Sequence, residues 1–96
     1  MSVVVVLELK CKDETYEGMK GTMTAILPDT AKFAGCEALH AASDDATKTV
    51  WLYEVWDQIE SQQKYMGWRT ERGEIEGLMA ALREPLEPRV MDVVPF

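Results

Sequence analysis

Glu54 is the residue of this chain best placed for chemistry. It stands two positions before Trp56 in the run Leu52-Tyr53-Glu54-Val55-Trp56, so in a strand the two side chains share a face. A carboxylate on a helix-covered sheet face is costly unless it is paired. Burial would raise its pKa towards that of a usable general base. The alternative is a buried ion pair with Lys10, Arg69 or Arg72. Trp56 is either a pocket wall or a core aromatic whose indole N–H finds a backbone acceptor. Tyr65 can hydrogen-bond a substrate oxygen or pack as an amphipathic residue. Arg69 and Arg72 lie on or beside the stripe Trp68-Ile75-Met79. There they can bind a carboxylate or phenolate, or reach outward to acidic neighbours. His40 alternates with Cys36 and Ala38 and reads as a strand histidine that could reach a ligand. The expected set is thus Glu54, Tyr65 and Arg69 as catalytic groups, with Trp56, Trp68, Arg72 and His40 contacting substrate.

Composition limits the partners. The chain has 96 residues, a single domain's length, and a formal charge of −7. An acidic surface repels nucleic-acid phosphates and anionic membranes. The only two cysteines, Cys11 and Cys36, have no C-x-x-C spacing, and no metal-ligand cluster is present in the sequence. The apolar run Ser2–Leu9 is too short to span a bilayer, which takes about 20 residues. These features lead to the expectation of a cytoplasmic protein with reduced thiols. The hydrophobic content, 47%, exceeds what a small monomer easily hides, and points to a pocket or a subunit interface.

The elements that must position these groups follow from periodicity. Val3–Leu9 is a β-branched strand, apolar on both faces. From Asp13, read as an N-cap, to about Thr30 the apolar residues Tyr16, Met19, Met23, Ile26 and Leu27 recur at helical steps. Pro28 should kink that helix or confine it to one more turn. Cys36–Ala42 and Thr49–Trp56 form a hairpin across the polar turn 43–48. Alternation in the second of these leaves neither face polar, so helices should cover one face and another sheet, from a second subunit, the other. Asp57 and Glu60 form a capping-box pattern, Gly67 invites a break, and a helical stripe resumes at Trp68. Pro85 and Pro88 precede a last strand, 89–94. The order β-α-β-β-α-β is that of a ferredoxin-like α+β fold.

This order, the Phe33-Ala34-Gly35-Cys36 entry to strand two and the Tyr53-Glu54-Val55-Trp56 exit from strand three resemble the antibiotic biosynthesis monooxygenase family over nearly the whole chain. Ile26-Leu27-Pro28-Asp29-Thr30 and Trp68-Arg69-Thr70-Glu71 resemble its quinol monooxygenase subgroup. The resemblance implies a dimeric α+β barrel, a homodimer that oxidises a small aromatic or quinol-type substrate with molecular oxygen and no cofactor. It makes Trp56 the counterpart of the family's strand-three tryptophan. It also places Tyr65 where many members carry histidine, which removes the general base nearest neutral pH. The family's haem-degrading branch uses a helix histidine and a strand-one asparagine. This chain has no asparagine, and its one histidine is His40. The alternative to an enzyme is a small-molecule binding or stress-response dimer of the same fold.

Overall fold

The computed structural model describes all residues from Met1 to Phe96. In chain order the elements are β1 (Val3–Lys10), α1 (Tyr16–Lys32), β2 (Cys36–Asp44), β3 (Thr49–Trp56), α2 (Ile59–Glu71), α3 (Glu74–Ala80) and β4 (Arg89–Asp92). The four strands form one antiparallel sheet in the order β2-β3-β1-β4, the ferredoxin-like arrangement.

The core lies between the sheet and the helices. Val3, Val5, Leu7 and Leu9 of β1 and Val50, Leu52 and Trp56 of β3 pack against Tyr16, Met19 and Met23 of α1 and Tyr65 of α2. The register sets Val5 opposite Glu54 and Leu7 opposite Leu52, so the period of two brings the β3 carboxylate onto the helix-covered face. The other face carries Trp51, Tyr53 and Met91, which are 39%, 46% and 47% exposed. No helix of the chain is long and apolar enough to cross a membrane.

Several boundaries differ from the sequence reading. Thr15, not Asp13, stands at the N-cap of α1, and its hydroxyl donates to the Ala81 carbonyl at 2.6 Å instead of capping its own helix. The helix then runs through the exposed Pro28 to Lys32. The capping box at Asp57 is not formed: Gln58 is the N-cap of α2, and the Asp57 carboxylate accepts from the Ser61 hydroxyl at 2.6 Å. The second helical region breaks at Gly73 rather than Gly67. Gly73 takes φ +76°, whereas Gly67 lies inside α2. A glycine adopts that left-handed conformation without the Cβ clash that other residues meet. The element order is therefore β-α-β-β-α-α-β, and the last strand stops at Asp92.

Gly35 fixes the corner below the site. Its carbonyl accepts the Asp57 N–H at 2.8 Å. A Cβ there would lie 2.5 Å from Ser61 Cβ and 2.7 Å from an Asp57 oxygen. With φ +94°, only glycine lets the return loop close onto the end of β3 and the start of α2.

Candidate functional site

A cavity of about 500 Å³ lies between the sheet and the helices. Leu7, Leu52 and Glu54 form its floor, α1 one wall, and α2 with α3 the other. The walls are mostly aliphatic and thioether side chains, among them Met19, Met23, Ile26, Met66 and Leu78. The volume falls within the usual range for a small-molecule site.

Glu54 is the buried polar group of the floor, 2% exposed. Its Oε1 accepts the Trp56 indole N–H at 2.9 Å. This is the one hydrogen bond the carboxylate makes within the protein, and Glu54 lines the cavity. Burial pushes the Glu54 pKa up, and the indole hydrogen bond opposes that only in part. No cation pairs with it, so the ion pairs foreseen with Lys10, Arg69 or Arg72 are absent.

Arg69, 3% exposed, borders the same space and uses all three of its nitrogens. Nε donates to the Tyr65 hydroxyl at 3.0 Å and Nη1 to Glu74 at 2.6 Å. Nη2 donates to the Ile26 carbonyl at 3.0 Å and, more weakly, to the Thr30 hydroxyl at 3.4 Å. The Tyr65 hydroxyl accepts from Arg69 and shares a second hydrogen bond with Thr30 Oγ1, 2.5 Å away, in which either hydroxyl can donate. Burial disfavours the Arg69 charge, but Tyr65 and Glu74 more than offset it and hold the guanidinium pKa above its ordinary value. The Glu74 carboxyl is held low, first by Arg72 and then by Arg69.

The structure thus brings Glu54, Tyr65 and Arg69 to one cavity and sets the other expected residues apart from it. Trp56 is fully buried beside Glu54 on the same face of the sheet, and its N–H finds Glu54 rather than a backbone carbonyl. It joins an aromatic cluster with Phe33, Tyr65 and Trp68, with centroids 5.3 to 6.4 Å apart. Trp68 stacks with two guanidinium groups, Arg69 Cζ 4.6 Å and Arg72 Cζ 4.9 Å from its ring centre, and does not line the cavity. Arg72 is exposed and pairs with Glu74. His40 stands opposite Tyr53 on the far face of the sheet. Thr30 and Glu74 were not foreseen as partners. Thr30 had a signal: it continues the α1 stripe Met19-Met23-Ile26 at the next helical step, a polar residue on an apolar face. No group of three or more His, Cys, Asp or Glu side chains is placed to hold a metal ion.

No family model matches the sequence, and no curated protein matches it. Solved structures do match. Rv0793 from Mycobacterium tuberculosis superposes with a TM-score of 0.87 at 12% identity, over 100% of this chain and 98% of that one. A candidate antibiotic biosynthesis monooxygenase from Deinococcus radiodurans gives 0.83 at 15%, over 98% and 94%. Another, from Nitrosomonas europaea, gives 0.79 at 14%, over 97% and 99%. The chain has the α+β fold of the antibiotic biosynthesis monooxygenase structures.

Proposed function

We propose that this chain is a member of the antibiotic biosynthesis monooxygenase family that oxidises a small aromatic or quinol-type compound with molecular oxygen and without a cofactor. One observation carries the reading. A buried carboxyl, pushed up in pKa and held by a single hydrogen bond, lines an apolar cavity of about 500 Å³. The substrate's ring system occupies the cavity, and Glu54 accepts the proton of its acidic O–H or C–H group. The resulting carbanion or phenolate supplies the electrons. For a ring CH₂ flanked by aromatic rings, O₂ delivers one oxygen to carbon as a new carbonyl and leaves with the two hydrogens as water. Arg69, a fixed cation at the cavity wall, favours the anion that forms, and Tyr65 holds the guanidinium in place.

The test is oxygen uptake with a panel of hydroquinones and anthrones. Turnover by the native protein and a loss of about 100-fold or more in Glu54→Gln are expected. Absence of uptake across the panel would refute the proposal. A second reading, a binding protein without turnover, draws on Tyr65 and Arg69: their polar groups are engaged within the protein, which leaves Glu54 alone for chemistry. Ligand binding with no oxygen consumption would select it. Either activity is proposed for a homodimer joined through the exposed Trp51, Tyr53 and Met91 face. Twice the 10.9 kDa chain mass is expected by light scattering.

A further inference from the structure

The two walls of the cavity are tied together at both ends and stand apart between the ties. At one end the Thr15 hydroxyl donates to the Ala81 carbonyl at 2.6 Å. At the other the Arg69 guanidinium donates to the Ile26 carbonyl at 3.0 Å. Between these ties the cavity is bordered by Gly18 on α1 and Gly77 on α3, both exposed.

Neither glycine is needed for its backbone. Both lie within helices and have no positive φ, and glycine is among the poorest helix formers. A Cβ built on either meets no atom within 4 Å. A side chain at these positions would therefore enter open space bordering the cavity rather than collide with protein. Two other helical glycines, Gly21 and Gly67, have equally free surroundings but do not border the cavity. They are internal controls for the cost of a helical glycine.

We infer that Gly18 and Gly77 are specificity-determining residues: their missing side chains set the largest ligand the cavity admits. The inference rests on the cavity being the binding site, and concerns which molecules enter it rather than what happens to them. The cavity then admits multi-ring or long-tailed compounds as well as single-ring phenols. A variant narrowed at these positions keeps affinity for small aromatics and loses it for large ones.

The experiment compares two uncharged fluorescent probes, N-phenyl-1-naphthylamine and the smaller 1-naphthol, on the native protein and on Gly18→Leu, Gly77→Leu, Gly21→Leu and Gly67→Leu. Native protein should bind both. Gly18→Leu and Gly77→Leu should bind the larger probe about tenfold more weakly, with the smaller probe within about twofold. Gly21→Leu and Gly67→Leu should bind both probes as the native protein does. All four should melt at or a few degrees above the native temperature, since leucine is the better helix former. Gly18→Ala and Gly77→Ala, with a smaller change in the same direction, replace either leucine variant that fails to fold. Unchanged affinity for the larger probe in Gly18→Leu and Gly77→Leu overturns the inference, and so does an equal loss in Gly21→Leu. A native protein that binds neither probe overturns the cavity reading and this inference with it. A native protein that binds both probes but consumes no oxygen refutes the monooxygenase proposal alone.

Discussion

The Arg69 guanidinium and the Glu54 carboxyl border one cavity and are built on opposite plans. Arg69 engages all three nitrogens with Tyr65, Glu74, Ile26 and Thr30, on residues drawn from α1, α2 and α3. Glu54 receives one hydrogen bond, from Trp56. A buried polar network whose members are all satisfied rigidifies what it joins. A buried carboxyl held by a single hydrogen bond is poorly solvated and free to take a proton. The difference separates scaffold from chemistry within a single site.

Three measurements break or sharpen that comparison. The largest effect belongs to Arg69→Ala. It takes a donor from the Tyr65 hydroxyl, Thr30, Glu74 and the Ile26 carbonyl and leaves a cavity in a buried network that joins α1, α2 and α3, so a loss of about 3 kcal/mol in unfolding free energy is expected from urea titration. A loss below about 1 kcal/mol would mean that Arg69 is not the scaffold described. Next comes Trp56→Phe, which keeps a buried ring and removes the one donor to Glu54. A cost of about 2 kcal/mol is expected. The limb of the pH–rate profile that reports the base should also move to higher pH, because the remaining influence on Glu54, burial, raises its pKa. An unmoved limb would show that Glu54 does not control the rate.

The smallest effect on stability is expected for Glu54→Gln, within about 1 kcal/mol, and its sign depends on pH. The folded-state pKa of Glu54 lies above its ordinary value of 4.5. Between those two values the folded protein binds more protons than the unfolded chain, so stability falls as pH rises through the window. The native protein should therefore lose urea resistance relative to Glu54→Gln as pH climbs above about 4.5. Asp45 and Glu74, whose pKa values are lowered, pull the other way in both proteins and cancel in the difference. Parallel curves for the two proteins would contradict the assignment of Glu54 as a desolvated acid.

Much of the fold and part of the site were legible in the sequence. Alternation in Thr49–Trp56 placed Glu54 and Trp56 on one face, and periodicity placed the Met19-Met23-Ile26 stripe of α1 inward, because both depend on spacing alone. The contacts of Arg69 depend on chain segments distant in sequence. Its bond to the Ile26 carbonyl spans 43 positions, and nothing near Arg69 announces it. Helix boundaries failed where local chemistry was overruled. Thr15 turned its hydroxyl to Ala81, and Gln58 displaced Asp57 as the N-cap. Gly67 and Gly73 look alike as letters, but only Gly73, at the junction of α2 and α3, takes a positive φ. His40 was separated from the site by the pairing register, which turns it with Tyr53 to the far face.

The helix α3 buries none of its own residues yet walls the cavity. Its amides then belong to the fast-exchanging end of the molecule's hydrogen-exchange range, well below the energy of global unfolding. Traffic into and out of the cavity can proceed by breathing of these two turns of chain, while the Trp56 cluster and the floor at Glu54 stay still.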